Sequence, residues 1–260
     1  MNTNFHTHHH LCQHAGGSCE DYVRVALEHG FSELGFSDHA PFDRKHLGYR
    51  MYDRDLQTYL DDIKTTKEIY KDRLTIYAGI EIEHWYKETE YYDIFLANFD
   101  YLILGQHFVS LKKDDSDLIS SFGLSTKEQI DAYAETLCDA MRTKRYKIIA
   151  HPDLYMHGYI DFDEHAAAVA HRICQCAVET NTILEYNANG FRRSKIQTPQ
   201  GLIHPYPRIE FWDIATKYDV RTILSSDAHG PNQLYDHTME EAEEIFDRLP
   251  LQKVTRFDQF

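Results

Sequence analysis

Seven short runs in this chain place histidine or a carboxylate where an apolar segment ends. In the first, Phe5 to His10 (FHTHHH), His6 and His8 stand two residues apart, so an extended backbone shows both imidazoles on one face. The others are SDH (Asp38, His39), GIEIE (Glu81), GQH (His107), AHPD (His151), EYNANG (Glu185, Asn187) and SSDAH (Asp227, His229). Imidazole is the commonest metal ligand, and two on one face begin a metal site. A lone histidine is more often an ordinary polar residue, so the weight rests on recurrence at segment ends. His8 to His10 are too few for an expression tag and read as native sequence.

Counting strand ends, plus His14 just after the first, gives nine donors: His6, His8, His14, His39, Glu81, His107, His151, Asp227 and His229. That is too many for one ion. Seven imidazoles with two carboxylates suit Zn, Mn or Fe better than Mg or Ca, which prefer oxygen. With a position left open on each metal, the set serves two or three ions, Glu81 being a natural bridge. Three divalent ions bring about +6, the carboxylates remove about 2 and a bridging hydroxide about 1, so the pocket stays cationic. Such a site suits a small anion. A metal-bound hydroxide attacking phosphorus in line makes phosphoester hydrolysis the expected reaction.

The elements between these runs must bring them together. Helical patterns occupy residues 19–30, 54–72, 90–98, 125–144, 161–181, 206–220 and 237–249, each followed or preceded by an apolar strand-like run. The fourth long pattern opens with a capping-box spacing, Ser125 to Glu128, and the sixth has Pro207 in its first turn. Residues 112–123 form a polar loop, read as a solvated excursion in preference to a lid. Seven strand-then-helix units predict an α/β fold with a parallel sheet, and seven polar strand ends predict closure into a barrel with one active face. An open doubly wound sheet would scatter the groups on two sides of a switch point.

Composition narrows the function. At 260 residues the length suits one domain spanning 1–260. A net charge of −15 opposes nonspecific nucleic-acid binding and a basic membrane patch. No apolar run approaches the roughly 18 residues that span a bilayer, and the N-terminus has no basic-then-apolar pattern, so a cytoplasmic protein is expected. Five cysteines without a C-x-x-C fit a reducing compartment, Cys12 lying near the histidine cluster in sequence.

HTH with His14, SDH, GIE, GQH, HPD, EYNANGFRR and SDAH, in that order over almost the whole chain, resemble the PHP (polymerase and histidinol phosphatase) superfamily. The stretch LEYNANGFRR with YPRIEFWDIATKYDVRTILSSDAH is similar in particular to its stand-alone histidinol-phosphate phosphatases. The resemblance implies a distorted (β/α)7 TIM-like barrel, a trinuclear metal site held by the nine donors, and hydrolysis of L-histidinol phosphate in histidine biosynthesis. It puts a phosphate-binding basic residue at Arg192, with Arg193 as the fallback, a planar guanidinium being suited to a phosphate. Two positions depart from the family pattern. Asn4 stands where an acid is common, which bears on how a ligand imidazole is oriented. After the fifth strand a basic residue is common, and here the candidates are Tyr155 and His157, of which His157 is preferred. Asp227 would bind metal and take the water proton, and a third ion or protonated His229 would stabilise the leaving alkoxide.

Other readings compete. A PHP-type exonuclease or phosphodiesterase acting on nucleotides is opposed by the acidic charge and by the lack of Arg/Lys clusters with interleaved aromatics. An amidohydrolase-type barrel also opens with His-x-His but usually bridges its ions with a modified lysine, which no strand end offers. A noncatalytic metal-binding module would be expected to have lost ligands. The remaining histidines, His9, His10, His29, His46, His84, His157, His165, His171, His204 and His237, read as surface residues. Of these His9, His10, His84 and His204 lie near loop mouths. Recognition of an imidazole and an ammonium calls for aromatic faces and a carboxylate, with Phe42, Tyr186, Tyr206 and Glu83 as candidates.

Overall fold

Period-two alternation along the strands decides what faces inward. In the computed structural model, which describes residues 1–42, 47–198 and 201–260, the main sheet is parallel and its strands run in chain order. They are β1 (Thr3–Asn4), β2 (Glu33–Phe36), β3 (Thr75–Ile82), β4 (Tyr101–Leu104), β5 (Ile148–Ile149), β6 (Ile183–Asn187), β7 (Arg221–Ser225) and a short β8 (Gln252–Lys253). Among the described residues seven α-helices follow them outside: α1 (Cys19–Glu28), α2 (Leu56–Tyr70), α3 (Tyr91–Asn98), α4 (Lys127–Arg142), α5 (Glu164–Thr180), α6 (Ile209–Ala215) and α7 (His237–Arg248). Among the described residues no helix is long and apolar enough to cross a membrane. His46 lies outside the described residues.

The sheet curls until its first and seventh strands meet. A parallel bridge joins Thr7 to Ala228, His8 N–H donates to the Ala228 carbonyl at 2.9 Å, and Ser226 N–H donates to Asn4 Oδ1 at 2.8 Å. At the other end β8 pairs with β7, and Thr3 Oγ1 donates to the Thr255 carbonyl at 2.9 Å, so the seam is wedged apart there. The barrel expected from the polar strand ends is therefore present, distorted at this seam.

Two apolar layers follow from the alternation. Phe5, Tyr101, Ile103, Ile148, Ala150, Ile183 and Ile223 point inward and pack with Val254 as a floor inside the barrel. Their neighbours Leu102, Leu104, Ile149, Leu184 and Leu224 point outward and join the larger core under the helices. Tyr101 crosses the barrel to donate to the Phe5 carbonyl at 2.6 Å.

Three local expectations shift. The capping box on α4 is Thr126 with Gln129, one residue beyond Ser125 and Glu128, because the Thr126 hydroxyl is the group that reaches the Gln129 N–H. Arg208 is the N-cap of α6, so Pro207 precedes the helix instead of lying in its first turn. Residues 112–123 are only partly an excursion: Ile119–Ser120 returns to pair antiparallel with Phe108–Val109, and Ser120 and Phe122 come back to the mouth of the barrel.

Candidate metal centre

The inward face of a strand that begins apolar becomes polar at its C-terminal end. On β6 the inward residues are Ile183, Glu185 and Asn187; on β3, Tyr77 and Gly79 precede Glu81. Glu81 is the centre of the site. His39 Nδ1 lies 2.9 Å from its Oε2, with the Nε2 atoms of His6 and His8 each at 3.4 Å. His151 Nε2 at 3.4 Å and His107 Nε2 at 3.6 Å face its Oε1. Gly105 makes room for this carboxylate, since a Cβ there would collide with it. Asp227 Oδ1 faces His8 Nε2 at 3.0 Å, His6 Nε2 at 3.5 Å and His229 Nδ1 at 3.5 Å, while His14 Nε2 meets His229 Nε2 at 2.9 Å. All nine donors counted in the sequence thus share one cluster.

Electrostatics follow from burial and proximity. Burial penalises the charge on Glu81, but His39, His6 and His107 hold its carboxyl well below the usual range; His6, His8 and His229 do the same for Asp227. Against its own burial penalty, His6 is raised well above its ordinary value by Glu185, Asp227 and Glu81, and His8 is raised by Asp227 and Asp38. Burial lowers His14, takes His39 well below its ordinary value and brings His107 to about 3. Burial and the nearby His8 bring His229 to about 4, so it is neutral at pH 7, and the expectation of a protonated His229 as acid is corrected.

This arrangement fits cations. Glu81 Oε1 and Oε2 and Asp227 Oδ1 are buried without a hydrogen-bond donor, a costly state for a carboxylate unless a cation is bound. Imidazole nitrogens face each other at 3.0 Å (His6 Nε2 and His8 Nε2), where two lone pairs aimed at a shared ion would be satisfied. Donor atoms lie within 4.8 Å of one another in the groups His8, His39, His229; His6, His8, Glu81; and His39, Glu81, His107. A further group, His8, Cys12 and Asp38, adjoins them.

A surrounding layer of acceptors sets which nitrogen is free on four of the seven rings. His6 Nδ1 donates to Glu185 Oε1 at 2.7 Å, the orienting role expected of the residue at Asn4, while Asn4 Nδ2 instead donates to Thr7 Oγ1 and the His6 carbonyl. His107 Nδ1 donates to Glu83 Oε1 at 3.1 Å, His14 Nδ1 to the Cys12 carbonyl at 2.9 Å and His229 Nδ1 to the Asp227 carbonyl at 3.0 Å. Asn187 and Asn189 donate to Asp227 Oδ2 at 3.1 and 3.2 Å. His151 and Asp227 have φ of 33° and 46°, strained left-handed backbone held at two candidate ligand positions.

Above the cluster opens a cavity of about 420 Å³, walled by Tyr49, Arg50, Phe108, Phe122, Arg193 and Tyr206 among others. Here the arginine choice is corrected. Arg192 points away: its guanidinium donates to Asp236 Oδ1 (2.8 Å) and Oδ2 (3.2 Å) and to the carbonyls of Ser226 (2.9 Å) and Gln233 (2.8 Å). Arg193 lines the cavity, against Phe122 and Tyr206. His157 is corrected too: its Nδ1 donates to the Phe122 carbonyl at 2.8 Å, behind the cavity wall, and the Tyr155 hydroxyl is spent on the Ala166 carbonyl at 2.9 Å.

Of the four candidates for holding the organic part of a substrate, Tyr206 alone lines the cavity. Phe42 stacks on Trp85, and Glu83 is paired with Arg50 and His107. Tyr186 packs outward on Trp212 and Phe246 because it alternates with Glu185 and Asn187. His9 lies edge-on to Tyr59, His84 beside Tyr146, His204 against Phe191, and His10 is exposed by the Gly17 carbonyl; none of these four lines the cavity. Arg50 carries no signal in the sequence, because it is a loop residue without a strand-end motif of its own; Asn189 lies within the EYNANG run, in a 3-10 turn after β6, and is not singled out there.

Comparison with known proteins agrees with this geometry. A family model described as the PHP domain matches residues 4–189. A probable histidinol-phosphatase of Deinococcus radiodurans is 25% identical over 258 residues, covering 93% of this chain and 92% of that protein. The histidinol-phosphatase of Bacillus subtilis is 26% identical over 259 residues, covering 86% and 92%. Among solved structures, the histidinol phosphate phosphatase of Lactococcus lactis, complexed with Zn, L-histidinol and phosphate, superposes with a TM-score of 0.71 at 16% identity, over 97% of this chain and 95% of that one.

Proposed function

The chain belongs to the PHP domain family, and on that premise we propose that it is a metal-dependent phosphomonoesterase that hydrolyses L-histidinol phosphate to L-histidinol and inorganic phosphate. The observation that carries the reading is three buried carboxylate oxygens without a donor, Glu81 Oε1 and Oε2 and Asp227 Oδ1, ringed by imidazoles at the base of a cavity that Arg193 also enters. The names of the relatives supply the substrate.

His6, His8, His14, His39, Glu81, His107, His151, Asp227 and His229 would hold two to three Zn, Mn or Fe ions. Such ions would supply Lewis acidity at the phosphoryl oxygens and an acidified water. Arg193 binds the phosphate dianion from the cavity wall through its planar fork of donors. Asp227 is ionised, and Asn187 and Asn189 fix its Oδ2 while Oδ1 has no donor, so Oδ1 is the atom available to take the water proton. The attacking water releases one proton and the departing alkoxide takes up one, so the reaction neither gains nor loses a proton overall.

The whole of residues 1–260 acts as one domain in this reading. The test is a phosphatase screen of metal-replete protein against L-histidinol phosphate, other small phosphomonoesters and a dinucleotide diester. Selective release of phosphate from L-histidinol phosphate is expected; preference for the diester would overturn the reading in favour of a nuclease.

A further inference from the structure

Arg50 is buried in the wall of the cavity, yet no metal-ligand pattern surrounds it in the sequence. Its guanidinium pairs with Glu83, whose side chain is 4% exposed. The same Glu83 oxygen, Oε1, accepts from His107 Nδ1 at 3.1 Å, and His107 Nε2 faces Glu81 at 3.6 Å. Its backbone takes part as well: the Arg50 carbonyl accepts from Gln13 Nε2, and Gln13, in left-handed backbone at φ 69°, directly precedes His14. The ring of Tyr49 lies against that of His14, with centroids 5.2 Å apart. One residue therefore ties together the loops that follow β1, β3 and β4, the first and last of which carry the metal-ligand candidates His14 and His107.

A buried ion pair contributes little net stability, because desolvation offsets the attraction. What it does fix is direction. Held by Arg50, the Glu83 carboxylate cannot turn away from His107, and the accepted Nδ1 proton leaves the His107 Nε2 lone pair aimed at the cluster. We propose that Arg50 is a positioning residue, acting through Glu83 on His107 and through Gln13 on His14, so that the wall of the cavity and two of the more solvent-facing ligands are held as one unit. This rests on the metal-centre reading given above.

The experiment measures Mn²⁺ and Zn²⁺ affinity by competition with a fluorescent chelator, alongside kcat and KM for a phosphomonoester, in wild type, Arg50→Lys, Arg50→Gln, Glu83→Ala and the Arg50→Gln/Glu83→Ala double variant. Thermal melts of the metal-free proteins report folding. Arg50→Gln and Glu83→Ala are each expected to weaken the affinity of at least one metal by about 10- to 100-fold and to lower kcat more than they raise KM. The double variant should hold metal no worse than about threefold below Glu83→Ala, since both changes break the same link. Arg50→Lys, which keeps the charge for Glu83, should recover part of the affinity, and it carries the test if Arg50→Gln does not fold. Unchanged metal affinity with a raised KM would make Arg50 a substrate contact, and a lowered melting temperature alone would make it structural; either overturns the proposal. A wild type that takes up no divalent metal defeats the metal-centre reading itself, whereas a wild type that does so beside an unaffected Arg50→Gln defeats only the positioning role.

Discussion

His6 and Glu185 meet through a 2.7 Å hydrogen bond from His6 Nδ1 to Glu185 Oε1, and both side chains are fully buried. Glu185 Oε2 also accepts from the His151 backbone N–H at 3.2 Å and from Asn187 Nδ2 at 2.7 Å, so one carboxylate braces three parts of the site. Glu185→Ala would leave a buried imidazole donor and a buried N–H unpaired. The expected outcome is a loss of metal affinity of about 10- to 100-fold, seen as substoichiometric metal by elemental analysis after dialysis. Glu185→Gln, which still accepts from His6, should lose less.

Asp227 is the second carboxylate of the cluster, and its Oδ2 is already fixed by Asn187 and Asn189. Asp227→Asn keeps the shape but removes the charge and the basic oxygen. A fall in kcat of about 100-fold or more is expected in metal-saturated protein, read from initial rates of phosphate release. Full metal content with near-normal turnover would remove the base role assigned to it.

Adjacent arginines should separate cleanly. Arg193→Gln is expected to lower kcat/KM for the phosphomonoester by about 100-fold with little change in melting temperature, because its guanidinium lines the cavity. Arg192→Gln breaks four hydrogen bonds that tie the end of β7 to the start of α7. It should lower the melting temperature by roughly 5–10 °C while KM stays near the wild-type value. Calorimetry and steady-state kinetics on the two variants check both halves.

His84 gives the stability a pH dependence of its own. Burial, reinforced by the Arg145 cation, lowers it from 6.5 to about 4. In the folded protein it stays neutral as pH falls, whereas the unfolded chain takes up a proton below 6.5; its contribution is thus fully present above 6.5 and lost as pH drops toward 4. Between pH 7.5 and 5 this amounts to about 2 kcal/mol. Unfolding free energies from urea titrations at those two pH values should converge by that amount in His84→Gln relative to wild type.

Strand residues are legible in the sequence because their direction is a local matter. On β6, Ile183, Glu185 and Asn187 share one side by alternation alone, and the same count puts Tyr186 outside, against Trp212 and away from the cavity where a substrate contact would lie. Of the nine donors Glu81 lies within a strand and all the others but His14 follow a strand end by two to four residues, and all nine meet. His14 is the exception that shows the limit: it follows a short 3-10 turn after the first strand, and only its spacing from His6 and His8 brings it into the count.

By itself, then, the chain's sequence determined the chemistry of the donors, the parallel barrel that collects them and the sign of the charge they attract, since residue type and period-two alternation need no long-range information. Tertiary structure decided everything carried on loops: Arg193 and not Arg192 in the cavity, His157 turned to the Phe122 carbonyl, Glu83 paired with Arg50. A loop side chain points wherever its distant partners allow. For Arg192 those partners, Ser226, Gln233 and Asp236, lie more than thirty residues along the chain, beyond the reach of any local pattern.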